Sequence, residues 1–337
     1  MYSKASTFYR IHVEEGIRDH PRTLAVLERF PRSVVVVIDD YQNVFGRGRQ
    51  DFWRQKAGPT LILARKKENF LYPGNEYLQG SRLPNFHYNT LVMNCPYDCH
   101  YCYLQGMYSG ANIVAFVNLE DFLAAAAEAV QERGDKGAPL HLAVSHDTDL
   151  LALEGILGYA AAWNGWARHR EDVLIEIRTK SAPYRFLRSV DPAAGVRLAW
   201  TLTPGDLARR YETGAPGLEA RVRALREAAG RGWRIAVCID PILKVPGEGD
   251  PYGDFVDFLG RELPWQAVER IELGVFRVSA AYFKRMRKRP GTDLLHYPYL
   301  HANNTVSYFE EERVELMGSV RSRLLNFISK EKIILWT

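Results

Sequence analysis

Cys95-Pro96-Tyr97-Asp98-Cys99-His100-Tyr101-Cys102 follows an apolar, strand-like run and gathers three of the four cysteines of this 337-residue chain in a C-x3-C-x2-C spacing. Thiolates this close suit a soft metal centre, and three of them around a four-iron cube leave one iron with an open position. Spacing alone leaves two other uses open. A structural zinc site takes four ligands and usually pairs two C-x2-C knuckles. Here only Cys238 remains, far downstream, with His100 inside the loop as a further ligand. A disulfide framework needs paired partners, and an odd trio with one distant thiol is a poor one.

Outward from that loop, apolar runs alternate with amphipathic ones. Strand-like segments are expected at Tyr88–Met93, Pro139–Ser145, Val173–Arg178, Arg197–Leu202, Arg234–Ile239 and Arg270–Phe276, with helices such as Leu119–Glu132 and Gly217–Gly230 between them. Six strands alternating with helices imply a parallel sheet, and right-handed crossovers curl such a sheet into an open or partial barrel. Residues 1–85 read as a small N-terminal α/β lobe with strands Ser33–Ile38 and Thr60–Ala64, followed by a Pro/Gly-bearing stretch near Pro73 to Pro84. The barrel then occupies 86–279, and 280–337 form a C-terminal extension of helix, hairpin-like segment and terminal helix. No internal repeat or low-complexity tract is visible.

Chemistry in parallel barrels sits at the C-terminal ends of strands. That rule selects Cys95–Cys102, Ser145–Asp149, Lys180, Thr201 with Thr203, and Cys238 with Asp240. Cys238 and Asp240 are two apart on one strand and so share a face.

Composition bounds the remainder. Hydrophobic residues make up 47% and charged residues 25%, ordinary for a chain that buries a substantial core. A net charge of +4 neither demands nor excludes a nucleic-acid partner. Met1-Tyr2-Ser3-Lys4-Ala5-Ser6-Thr7 is not an apolar secretory stretch and no run reaches the length of a membrane span, so the expectation is a cytoplasmic protein without a membrane partner.

The longer string Cys99-His100-Tyr101-Cys102-Tyr103-Leu104-Gln105 resembles the cluster loop of the spore photoproduct lyase family of radical S-adenosylmethionine (SAM) enzymes. Similar echoes run through Val117-Asn118-Leu119-Glu120-Asp121, Arg178-Thr179-Lys180, Tyr211-Glu212-Thr213-Gly214 and the tail Leu335-Trp336-Thr337. The resemblance implies a partial (β/α)6 TIM-type barrel. It also implies a [4Fe-4S] cluster on Cys95, Cys99 and Cys102, SAM as cofactor, and a reducing electron donor such as flavodoxin or ferredoxin. Reductive cleavage of SAM would then yield a 5′-deoxyadenosyl radical that abstracts hydrogen from the substrate. Lys180, Thr201 and Thr148 fall where the family holds its cofactor, with Asp240 beside them on the barrel face. Tyr101 and Tyr103 match family tyrosines associated with radical relay and the cofactor's surroundings.

Two departures bear on the substrate. At Ser145-His146-Asp147-Thr148-Asp149 the family carries Ser-Cys-Thr-Ser-Asp, whose cysteine gives a hydrogen atom to the product radical; His146 replaces it here. An imidazole N–H does not surrender hydrogen as a thiol does, so His146 is expected to bind substrate or move a proton, and Cys238 is the remaining thiol that could donate hydrogen. The family's basic DNA-wedging hairpin corresponds to 295–309, which contains no Lys or Arg and is followed by Glu310-Glu311-Glu312. Loss of cations weakens duplex binding. The run Lys284-Arg285-Met286-Arg287-Lys288-Arg289 argues partly the other way. The reading is therefore a small nucleoside- or nucleotide-like substrate in a biosynthetic setting, with repair of a thymine dimer in DNA as the alternative.

Overall fold

A computed structural model describes residues 8–74, 83–244 and 250–336. Met1–Thr7, Thr337 and most of the Pro/Gly-bearing stretch near Pro73 to Pro84 lie outside the described residues. The chain divides into two compact units, one of Met1–Pro96, Tyr108–Thr179 and Arg185–Arg197, the other of Tyr97–Met107, Lys180–Tyr184 and Leu198–Thr337.

The first unit contains a five-stranded sheet ordered Val34–Ile38, Arg10–Glu14, Leu61–Ala64, Ile113–Phe116, Val92–Met93. Leu61–Ala64 and Ile113–Phe116 are buried at every position, the mark of interior strands covered on both faces. The N-terminal sheet thus takes a strand from beyond the cysteine motif, which the lobe expected at 1–85 did not include. In the same unit Leu140–Ala143 pairs in parallel with both Val173–Thr179 and Phe86–Tyr88.

The single strand expected at Tyr88–Met93 is two strands. Phe86–Tyr88 lies beside Leu140–Ala143, whereas Val92–Met93 runs antiparallel to Ile113–Phe116. Asn89, Thr90 and Leu91 carry the chain between them: the Asn89 N–H donates to Ala143 O (3.2 Å), and Leu91 O accepts from Phe116 N (3.0 Å). Apolar periodicity does not register such a change of partner. Helix Leu119–Glu132 forms as the pattern predicts, burying Leu119, Phe122, Ala126 and Val130 and placing Glu120 and Asp121 in its first turn, where the helix dipole favours anions.

In the second unit Arg234–Ile242, Val268–Val275 and Ile333–Trp336 pair in parallel. Helix Leu218–Gly230 buries Leu218, Val222, Leu225 and also Arg221. Its terminating glycine is Gly232 (φ +86°) rather than Gly230, which is still helical. Strand Val196–Thr201, buried throughout, carries the chain from the first unit into the second. Leu300–Ala302 and Thr305–Ser307 pair antiparallel as a hairpin, and the latter pairs with Arg277–Ser279. Asn303 (φ +47°) and Asn304 (φ +58°) make the two-residue turn, in the left-handed region that asparagine tolerates. Among the described residues no helix is long and apolar enough to cross a membrane.

Candidate active site

None of the four cysteines forms a disulfide among the described residues; Cys99 and Cys238 are buried, Cys95 and Cys102 half-buried. Cys95 belongs to the first unit, where its carbonyl accepts from Lys56 Nζ at 2.5 Å. Cys99 and Cys102 belong to the second. Cys99 sits in a two-residue antiparallel pairing with Glu212, and a tight turn follows in which Cys99 O accepts from Cys102 N at 3.1 Å. Gln105 fastens the turn by donating from Nε2 to Cys99 O at 2.5 Å. Among the described residues no three His, Cys, Asp or Glu side chains converge on a single-ion site. His100 is buried against Tyr211, and burial, with Arg289 nearby, pushes its pKa down to about 4 against the pull of Asp98 and Asp293, so the ring is neutral.

Around the cysteine turn lies a buried polar network within the second unit. Glu212 accepts from the Tyr101 hydroxyl, from Thr203 Oγ1 at 2.9 Å and from Arg221 Nη2. Arg221 also donates to the backbone oxygens of Pro216 (2.7 Å) and Thr201 (3.2 Å). Both members of the ion pair are enclosed, at 1% and 0% side-chain exposure. Burial opposes the Glu212 charge, but Arg221 and Lys180 outweigh it and hold the carboxyl below its ordinary range. Tyr101, raised by burial and by Glu212, stays a phenol.

Lys180 brings its ammonium to 5.4 Å from the Tyr101 ring. Burial opposes its charge too, yet Cys99, Glu212 and Cys102 together keep its pKa above the ordinary lysine value. The residues after it are pinned in the same unit: Tyr97 and Ser181 share a hydrogen bond at 2.7 Å, and Trp200 Nε1 donates to Ser181 O at 3.0 Å. Lys180, Tyr101, Cys99 and Cys102 are thus assembled by the second unit itself. Thr201 is buried with its carbonyl on Arg221, and Tyr103 is half-buried, its carbonyl starting the short helix Leu104–Met107. Asp240 lies 3.7 Å from Arg277. Cys238, wholly enclosed, packs with Ala199 and Ala236.

The first unit supplies the other expected residues. After strand Leu140–Ala143 the chain turns through Ser145–Asp149. His146 Nδ1 lies 3.0 Å from Asp147 Oδ1, and its ring packs on Tyr88 with centroids 4.4 Å apart. Burial works against the Asp147 charge, but His146, Thr90 (2.6 Å) and Tyr108 outweigh it and hold the carboxyl below its ordinary range. Thr148 is buried, and its hydroxyl has no hydrogen-bond partner among the described residues, which suits a group that meets a ligand.

Sequence reasoning assigned no role to Glu212, Arg221 or Asp147. Arg221 had a signal: a charged residue stands within the apolar stripe of helix Leu218–Gly230, and such a position needs a buried counter-charge. Glu212 stands inside one of the quoted family strings but identifies itself only through its partners.

A solved spore photoproduct lyase complexed with dinucleoside spore photoproduct superimposes with a TM-score of 0.82 at 18% identity, over 98% of this chain and 99% of that one. A double-mutant form with bound AdoMet and dinucleoside spore photoproduct gives 0.80 at 18%, over 97% of each chain. The fold class is therefore α/β, a partial TIM-type barrel of the radical SAM type. The family model for spore photoproduct lyase matches residues 81–295, and the chain belongs to that family. A spore photoproduct lyase from a Geobacillus species is 25% identical over 177 residues; the match spans 51% of this chain and about half the length (50%) of that relative.

Proposed function

We propose that this chain is a radical SAM enzyme in which Cys95, Cys99 and Cys102 hold a [4Fe-4S] cluster, with SAM as cofactor and a small nucleoside- or nucleotide-like substrate. The observation that carries the reading is the Lys180 ammonium set 5.4 Å from the Tyr101 ring, inside the unit that also holds Cys99 and Cys102. Three cysteines in one loop, none in a disulfide, are the donor set that an iron–sulfur cluster takes. When bound, cluster and SAM supply the electron and the carbon radical that abstracts hydrogen from the substrate; placement and exclusion of water are left to the protein.

Lys180 suits the carboxylate of SAM, and the hydroxyls of Thr148 and Thr201 suit its polar groups, with Asp240 as a further contact. Tyr101, held by Glu212, forms a rigid wall of the site, and Tyr103 follows Cys102 directly. Cys238 and His146 complete the reacting set, Cys238 as hydrogen donor and His146 toward the substrate. Flavodoxin or ferredoxin supplies the electron, in a reducing cytoplasmic setting that keeps the thiols free.

Anaerobic reconstitution tests the reading. Iron, sulfide and a reduced-cluster spectroscopic signal are expected in the wild type and are lost when any of Cys95, Cys99 or Cys102 is changed to Ala. Dithionite with SAM should release 5′-deoxyadenosine, and Lys180→Ala should weaken SAM binding by roughly 10–100-fold, the worth of one hydrogen bond to a charged group. Protein that binds no cluster, or binds one and never cleaves SAM, would refute the proposal. Assays with dinucleoside spore photoproduct, damaged DNA and free nucleosides then separate the substrates.

A second reading, repair of a thymine dimer in DNA, is favoured by one feature. Phe283, Lys284, Arg287, Lys288, His296 and His301 line a groove of about 500 Å³. Lys284, Arg287 and Lys288 have no acidic partner among the described residues, and phosphates would fit them.

A further inference from the structure

The substrate side of the proposed reaction lacks a thiol at position 146, and the first unit shows what stands there in its place. Asp147 is 3% exposed and accepts hydrogen bonds from Thr90 Oγ1 (2.6 Å), from Tyr108 and from His146 Nδ1 (3.0 Å). An ionised carboxylate has only acceptors, so the hydrogen of the His146–Asp147 bond resides on Nδ1, which leaves Nε2 as the atom that gains or loses a proton. The face of the ring is set by Tyr88, which stacks in turn on Tyr72 with centroids 5.2 Å apart. The backbone on either side is fixed as well. Val144 N donates to Glu176 O at 3.2 Å, Ser145 Oγ accepts from Arg178 N at 2.7 Å, and Asp149 Oδ1 accepts from Thr179 Oγ1 at 2.8 Å. The His146 side chain nevertheless keeps 22% of its surface exposed. An imidazole whose edge, face and backbone are all constrained, and which remains reachable, is built for directed proton transfer.

We propose that His146 exchanges a proton with an N–H or O–H group of the substrate through Nε2, and that Asp147 is the positioning residue that fixes its tautomer. In the forward step the substrate N–H or O–H bond breaks heterolytically, its electron pair stays on the substrate atom, and the proton goes to Nε2. The resulting imidazolium is paired with the Asp147 carboxylate, and the reverse step returns the proton. No oxidant or reductant takes part. The inference rests on the radical reading only for the identity of the substrate, a nucleoside-like molecule whose imide or hydroxyl groups carry the exchangeable hydrogen.

The deciding measurement needs no substrate or cluster: NMR of the full chain carrying 15N-labelled histidine. His146 should be in the Nδ1–H form in the wild type and should shift toward a tautomer mixture in Asp147→Ala. Asp147→Asn, which keeps an acceptor for Thr90, serves if the alanine variant does not fold. An Nε2–H wild-type ring, or a ring indifferent to loss of the Asp147 carboxylate, overturns the proposal. Turnover adds the chemical test, with dinucleoside spore photoproduct as probe. His146→Gly should lose product formation by roughly 10²-fold, recovered by added imidazole. A wild type that turns the probe over while His146→Gly does so equally well also overturns it. If the wild type leaves the probe untouched, the thymine-dimer reading fails, whereas the tautomer result still decides on the dyad.

Discussion

Glu212 shows what one side chain can organise. Its two oxygens receive the Tyr101 phenol, the Thr203 hydroxyl and the Arg221 guanidinium, so the aromatic wall beside the cysteine turn is held through a single carboxylate. A buried pair of this kind contributes little compared with a well-packed apolar replacement, but breaking it strands a charge away from water. Glu212→Gln should therefore destabilise the protein by about 3–5 kcal/mol in chemical denaturation. Thr203→Val, which removes one hydrogen bond to the carboxylate and leaves the ion pair intact, should cost about 1.5–3 kcal/mol. Equal losses for the two would mean that Arg221 finds another counter-charge. Neither partner could be matched from the sequence. Arg221 stands out as a charge in an apolar stripe, but which acid meets it depends on where Glu212 lands after the chain has turned.

At the scale of an element, helix Ala280–Met286 with the turn after it explains a basic run that sequence alone left divided between a solvated face and a phosphate contact. Three and four residues apart on a helix means the same side. Arg285 donates to Gly106 O, and Arg289 makes two bonds to Asp98 at 2.6 and 2.7 Å, so one side of the run clasps the cysteine turn. Lys284, Arg287 and Lys288 face the groove instead. The close approach depends on Gly106, where a methyl group would collide with the backbone of Tyr282. Gly106→Ala should cost about 1–3 kcal/mol through overpacking and loosen the turn that carries Cys99 and Cys102. Thermal unfolding and iron content measured on the same preparation should fall together; an unchanged melting temperature would show that the helix yields without strain.

Across the whole molecule, the distribution of charge matters more than the net value of +4. The hairpin Leu300–Ser307 carries no Lys or Arg, yet it brings His301 to the groove lined by Lys284, Arg287 and Lys288, which have no acidic partner among the described residues. If polynucleotide binds there, its affinity should fall steeply with salt, and each of Lys284→Ala, Arg287→Ala and Lys288→Ala should lower the slope of log K against log salt by about 1. Fluorescence anisotropy with a short labelled duplex reads this directly. A shallow slope that the substitutions leave unaltered would remove the DNA reading and leave the small substrate.

Much was legible from the chain itself. The cysteine spacing, the family strings around it and the alternation of apolar runs determined the class of fold and singled out the three loop cysteines, Lys180, Thr148 and Thr201 as the residues on which the proposal rests, because local spacing and strand periodicity are properties of neighbouring residues. Tertiary structure alone decided the pairing of Glu212 with Arg221, the seat of His146 between Asp147 and Tyr88, the division of the basic run between two faces, and the exchange of strand partners at Asn89–Leu91. Each of these joins residues far apart in sequence. Burial of charge and competition for hydrogen-bond partners are settled only when the chain has closed on itself.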